Sequence, residues 1–267
     1  MTGPLPTPRP SQLLAGAAAG VVLHNGLSVL RLRRIADRHD HRLVHDAVVG
    51  VRPGPPAHLA VLGDSAPAGM GLTDPASAYP HQLATRLADA LARPVRLTCL
   101  ARRGAGTRDV TAEQVPRLAG LRPDMVVISV GANDALGRRR PRQVRADTVA
   151  LLAAVRAAAP DAAMLLGGAP DLGHAPGLPR PLRGLVGVAC RAVARAQASA
   201  AADLRVPFGL LPPQPPDSFG PDSFHGGPAT HARAAELTVA ALLSSSALAT
   251  RVVDGSSVTP PADGGPG

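Results

Sequence analysis

Five short apolar runs, His58 to Leu62, Val95 to Leu100, Met125 to Val130, Ala163 to Gly168 and Val206 to Leu211, constrain this chain more than any other feature. Each has the length of a strand and is apolar on both faces, the pattern of strands covered by helices on either side. Between and after them lie segments of helical period, roughly Tyr79 to Ala92, Arg108 to Leu118, Pro141 to Ala159, Pro181 to Ala201 and Pro228 to Leu248. Several carry proline in the first turn, where its missing amide costs nothing. Strands alternating with helices predict an α/β fold, a doubly wound parallel five-stranded sheet flanked by helices. Ligands of such sheets bind outside the carboxyl ends of the strands.

Arg52-Pro53-Gly54-Pro55-Pro56 cannot continue a helix and marks a boundary. Residues 1–56 read as an N-terminal helical extension with a Pro-rich linker, 57–248 as the main domain, and 249–267 as a disordered tail rich in Ser, Pro, Gly and Asp. The 267 residues hold one domain and its tails. With three Phe, one Tyr and no Trp, the core must be aliphatic.

The net charge of +9 raises nucleic acid as a partner, but every basic residue is Arg, as a GC-rich coding bias would produce, and no nucleic-acid-binding signature accompanies the charge. No nucleic-acid partner is expected. Cys99 and Cys190 fall in apolar segments and read as buried free thiols, which favours a reducing interior. Residues 13–30 are apolar, though His24 and Asn25 interrupt them, and no small-x-small cleavage site follows. A packing helix or surface anchor is favoured over a cleaved signal. The expected location is cytoplasmic, with residues 13–30 as the point of any peripheral membrane contact. Oligomeric state is not legible.

Leu62-Gly63-Asp64-Ser65-Ala66 closes the first apolar run, and Gly131-Ala132-Asn133-Asp134 and Asp222-Ser223-Phe224-His225 follow in order. A serine hydroxyl becomes a useful nucleophile only when a base takes its proton and donors stabilise the oxyanion. Ser65, Gly104 and Asn133 each lie beyond the end of a predicted strand, and His225 in the loop before the last helix, so all four are expected at one edge of the sheet. Blander roles stand beside these: Ser65 or Asn133 as a helix cap, Gly104 as a plain turn glycine, Asp64 as a loop brace. His231 and the other histidines apart from His225 read as packed or solvated, with a place for His231 on the rim of the site as the disfavoured alternative.

These blocks resemble the SGNH hydrolases, the GDSL-like esterases and lipases. Gly63-Asp64-Ser65 matches the nucleophile block, with Ala66 in place of the usual Leu, and Arg103-Gly104-Ala105-Gly106-Thr107 resembles the second. Gly131-Ala132-Asn133-Asp134 matches the third, and Asp222 with His225 the closing DxxH. Gly226 stands where Pro is common and Thr230 where Gly is common, departures that bear on the rigidity of the loop and not on its chemistry. Ala169-Pro170-Asp171-Leu172-Gly173 resembles a segment of an actinobacterial branch.

The resemblance implies a flavodoxin-like SGNH hydrolase fold and a serine esterase or lipase that cleaves acyl esters through an acyl-enzyme. Ser65 would be the nucleophile, His225 the base and Asp222 its orienting carboxylate. Ser65, Gly104 and Asn133 would form the oxyanion hole, with Gly106 competing for the place of Gly104. No metal or cofactor is implied. A chain so poor in aromatic rings suits small acyl esters, thioesters or lysophospholipids better than sugars. Two other readings stay open: a metal-dependent phosphoesterase, for which Asp37-Arg38-His39 offers an acid-x-His pair, and a catalytically idle membrane- or partner-binding module.

Overall fold

In the computed structural model, which describes residues 46–244, six strands form one sheet in the order β1-β3-β2-β4-β5-β6. They are β1 (Ala47–Val49), β2 (Ala57–Gly63), β3 (Val95–Cys99), β4 (Met125–Ser129), β5 (Ala163–Gly167) and β6 (Phe208–Gly209). All neighbours run parallel except β1, which is antiparallel to β3. The helices are α1 (Tyr79–Leu91), α2 (Thr107–Asp109), α3 (Ala132–Leu136), α4 (Pro141–Ala158), α5 (Arg180–Asp203) and α6 (Pro228–Ser244). The N-terminal helix expected before residue 46, residues 13–30, the pair Asp37 and His39, and the tail 249–267 lie outside the described residues. Among the described residues no helix is long and apolar enough to cross a membrane.

Alternation along the buried strands creates two cores. Ala60, Leu62, Val126, Ile128, Met164 and Leu166 point to one face, beneath residues 107–118, α4 and α5. Leu59, Val61, Met125, Val127, Ala163 and Leu165 point to the other, beneath α1 and α6. Fully burying each such side chain contributes roughly 1.5–3 kcal/mol, and a slip of one residue would turn every one to the opposite layer.

Register sets the carboxyl ends of four strands level, because Gly63 lies opposite Ser129, Ser129 opposite Gly167, and Gly167 opposite Gly209. Two buried glutamines fasten this row. Gln114 accepts from Gly63 N and donates to Gly63 O, both at 2.8 Å. Gln197 donates to Val130 O at 2.8 Å and accepts from Ala169 N at 2.9 Å, joining the loops that leave β4 and β5.

The five predicted strands and the long predicted helices all form, with local differences. Residues 47–49, expected within the N-terminal helical extension, are the edge strand β1; two adjacent β-branched valines pair with β3 before Gly50 turns the chain at φ +96°. The last strand pairs only over Phe208–Gly209, flanked by prolines 207 and 212 that cannot donate to a ladder. The helix expected at Arg108 to Leu118 is an α turn followed by a π turn (Val110–Gln114) and a 3-10 turn (Val115–Leu118), broken where Pro116 supplies no amide.

Gln197→Leu is expected to cost about 2–4 kcal/mol of stability in urea titrations, because Val130 O and Ala169 N stay buried without a partner. Arg145→Ala, which removes an exposed ion pair with Asp203, should cost less than about 1 kcal/mol. Equal losses would show that the glutamine bridge contributes nothing beyond surface packing.

Candidate active site

Gly63 ends β2 at φ +148°, and a Cβ there would lie 1.9 Å from Ser129 O, so only glycine lets the chain turn off the sheet at this point. Residues 64–71 follow as a run of tight turns, with Ala68 N donating to Asp64 O at 3.3 Å and Met70 N to Ser65 O at 3.0 Å. This lifts Ser65 onto the rim of the sheet. Asp64 is buried below it and accepts from Ala66 N at 3.2 Å and from the amide of Ala132, which ties the first block to the third. Burial pushes its pKa up to about 6 against the pull of those amides. Its geometry is that of the expected loop brace.

His225 reaches Ser65 from a hairpin-like loop. Phe219 bridges Gly226, Gly220 N donates to His225 O and Gly227 N to Ser218 O, both at 2.7 Å. Ser223 takes φ +58° at the bend, and its carbonyl accepts from Gly177 N at 2.8 Å. Asp222 is buried, and its Oδ1 accepts from the amides of Phe224 at 3.0 Å and His225 at 2.9 Å. Its Oδ2 lies 2.5 Å from His225 Nδ1, and His225 Nε2 lies 2.9 Å from Ser65 Oγ. Burial opposes ionisation of Asp222, but the ring and amide bonds outweigh it and hold the carboxyl below its ordinary pKa. The carboxylate is thereby kept as an acceptor for Nδ1–H, with Nε2 directed at the hydroxyl.

Asn133 sits inside the first turn of α3, whose cap position is Gly131, so the capping role does not apply. Its Nδ2 donates to Ala105 O at 3.0 Å, holding the loop after β3 against the loop after β4. That loop is also fixed by Arg102 N to Gly63 O at 3.1 Å. Between these two ties Gly104 takes φ +77° on an exposed turn, and its amide has no partner among the described residues. Gly106 N, by contrast, donates to Asp109 Oδ2 at 2.8 Å and is spent. Ser65, Asn133 and His225 line a cavity of about 160 Å³, whereas Gly104 lies outside its wall. Among the described residues no three His, Cys, Asp or Glu side chains cluster as a metal site.

The model of the GDSL-like Lipase/Acylhydrolase family matches residues 61–233. The chain belongs to this family. A GDSL-like esterase of Mycobacterium tuberculosis is 34% identical over 197 residues, which span 69% of this chain and 61% of that protein, less than two thirds of its length. The crystal structure of TesA superposes with a TM-score of 0.57 at 25% identity, over 70% of this chain and 98% of that one. Est24, a carbohydrate acetylesterase from Sinorhizobium meliloti, gives a TM-score of 0.55 over 70% of this chain and 99% of its own; at 19% identity the likeness is one of fold.

Further bonds, within and around the family's blocks, hold the site together. Asp134 accepts from Thr107 N at 2.9 Å and Thr107 Oγ1 at 2.8 Å, fastening the second block to the third. His231, expected to be packed or solvated rather than on the rim of the site, is buried and also lines the cavity. Its Nδ1 accepts from Tyr79 N at 2.9 Å, satisfying a free amide in the first turn of α1, and its ring also bonds the backbone of Gly226. Burial, reinforced by His225, pushes its pKa down to about 4.

A histidine whose pKa falls on folding contributes stability that is complete above its unfolded value, 6.5, and drains away as pH drops towards 4. His231→Asn retains a side-chain acceptor and cannot titrate. The stability of the parent relative to this variant should therefore fall between pH 6.5 and 4, by on the order of 3 kcal/mol at most. Urea titrations across that range check it; a constant difference would mean that residue 231 does not titrate on unfolding.

Proposed function

We propose that this family member is a serine esterase that hydrolyses carboxylic esters through an acyl-enzyme. The observation that carries the reading is the unbroken line from Asp222 Oδ2 through the His225 ring to Ser65 Oγ, with contacts of 2.5 and 2.9 Å. Such a line lets the imidazole take the hydroxyl proton while the carboxylate holds the tautomer and stabilises the imidazolium that forms. The esterase among the relatives supports the same reading.

In the first half-reaction Ser65 Oγ bonds to the carbonyl carbon as its proton passes to His225 Nε2. The carbonyl oxygen takes the negative charge, facing the amide of Ser65, the amide of Gly104 and the Asn133 hydrogen not used by Ala105. Collapse breaks the ester C–O bond, and the proton on Nε2 goes to the departing alcohol. Water then attacks the acyl carbon as His225 takes its proton; collapse breaks the bond from that carbon to Ser65 Oγ, which regains the proton from Nε2 as the acid leaves. Gly104 is preferred to Gly106 because its amide has no competing acceptor. No cofactor takes part.

Ser65→Ala and His225→Ala should each lower turnover of p-nitrophenyl butyrate by about 10⁴-fold or more. Asn133→Ala should lower it by about 10²- to 10³-fold, whereas loss of a merely structural amide costs only about 1 kcal/mol of stability. Activity should survive a chelator and vanish with a serine-directed phosphonate that labels Ser65. Chelator-sensitive, phosphonate-resistant hydrolysis would overturn the serine mechanism in favour of a metal-dependent phosphoesterase. Failure of the purified protein to label at all would favour the idle binding module.

A further inference from the structure

Single exposed leucines are ordinary on a protein surface and gain meaning only where they gather. Among the described residues seven large apolar side chains stand exposed, and four of them, Leu136, Leu185, Val188 and Leu210, belong to the carboxyl end of the sheet, the end that bears Ser65. Topology puts them there. Leu136 closes α3 after β4, Leu210 follows β6, and α5 must begin at this end to return the chain from β5 to its parallel neighbour β6. Leu136 and Leu210 also line the cavity.

Helix α5 is the unusual part. A helix packed on a domain turns charged and polar residues to water, yet the outward positions of its first turns, Pro181, Gly184, Leu185 and Val188, carry none, and Leu185 and Val188 are 69% and 57% exposed. Their spacing is that of one helical face, and Val186, Ala189 and Cys190 turn instead to the core. The buried side of the same turns lies against the cavity wall: a Cβ on Gly187 would be 3.2 Å from Gly173 Cα and 3.0 Å from Asp171 Oδ1, and Asp171 and Leu172 line the cavity. Cations stand around this face. Arg180 begins the same helix, and Arg138, Arg140 and Arg142 follow α3, which packs against α5. These four guanidinium groups are exposed and pair with no carboxylate among the described residues, since the acids of the same segments are taken, Asp147 by Arg108 and Arg139 and Asp171 by Arg191.

We propose that the carboxyl end of the sheet docks on an anionic lipid bilayer, with Leu136, Leu185, Val188 and Leu210 entering the boundary between headgroups and acyl chains and the four arginines binding headgroup phosphates. The mixture selects this partner. Apolar side chains standing among unpaired cations match a surface that is anionic outside and apolar beneath. A second copy of the chain fits worse, since a two-fold dimer would set the arginines of one face against those of the other. Docking holds whether or not Ser65 is acylated; its consequence, that esters dissolved in the bilayer reach the cavity beside Leu136 and Leu210, rests on the serine-esterase reading.

The test is sedimentation of the full chain with vesicles of phosphatidylcholine, alone or mixed with phosphatidylglycerol. The parent should bind the mixed vesicles more tightly, and added salt should shrink the difference. Leu185→Ser combined with Val188→Ser should lower the partition coefficient on mixed vesicles about tenfold or more. Arg138→Gln, Arg140→Gln and Arg180→Gln together should lower it about 10²-fold, at about fivefold for each guanidinium lost, and leave binding to phosphatidylcholine alone unchanged. Every position changed is exposed, so thermal melts should match the parent. A parent that ignores both kinds of vesicle, or variants that bind as the parent does, would overturn the docking and leave the serine reading standing. A parent that is dimeric, where the doubly substituted α5 variant is monomeric with unchanged vesicle binding, would overturn it too and make the face a contact between copies. The expected vesicle pattern without labelling of Ser65 by the phosphonate would keep the docking and end the serine reading.

Discussion

The level row of strand ends is the constraint on which the rest of the molecule depends. Gly63, Ser129, Gly167 and Gly209 share one height because the alternating cores of β2, β4 and β5 allow no other register. The loops that leave β2 and β4 therefore start from a common shelf, one carrying Ser65 and the other Asn133. Small residues along the shelf do two jobs: Gly63 lets the turn that carries Ser65 pass against the Ser129 carbonyl, and Gly167 and Gly209 line the cavity without filling it. Gln114 and Gln197 then remove the remaining freedom, since each satisfies a carbonyl and an amide that the end of a strand would otherwise leave buried and unpaired.

Three buried carboxylates stand beneath the site, and their partners differentiate them. Asp64 is held by two amides, and burial outweighs both them and the nearby His225, so its pKa rises to about 6. Asp134 takes both donors of Thr107 and faces Arg139, with its carboxylate at 3.6 Å from the guanidinium Nε. Asp222 alone touches the imidazole, and the bonds it accepts lower its pKa. One residue type thus braces two loops and orients an imidazole, and which task each performs follows from the donors within reach.

What was legible in the sequence follows from the distance over which each residue's partners lie. The strands could be read because burial on both faces writes itself into consecutive apolar residues, and the blocks because their chemistry is local to three or four positions. Edge strand β1 was not legible: three residues are too few to show a period of two, and Val48 faces solvent. Helix α3, five residues long, leaves no amphipathic trace. The glutamine bridges and the His231 bond span 28 to 152 positions, and nothing adjacent in the chain marks Gln114 or Gln197 as different from a surface glutamine. Gly104 against Gly106 was open for a related reason, since only the position of the Asp109 carboxylate shows which amide is already spent.

The closing loop shows how two departures from the family pattern form one change. Where the pattern often has Pro and then Gly, this chain has Gly226 and Thr230. A Cβ on residue 226 would lie 2.6 Å from Thr230 Cγ2 and 2.8 Å from its Cβ, so a proline there and a threonine four residues on exclude each other. The exchange gives up a ring that restricts the backbone and gains a hydroxyl that ties it. Thr230 Oγ1 donates to Ser218 O at 2.9 Å and bonds Gln214, pinning the start of α6 to the turn just before Phe219, which faces Gly226 across the bridge. The pinning acts on the segment that carries His225, and Gly71 meets that segment from the other side, where a Cβ would lie 2.9 Å from His225 Cβ. The imidazole is thus held between a tied loop and a turn with no space to spare, so its short contacts with Ser65 and Asp222 do not rely on the stiffness of a proline.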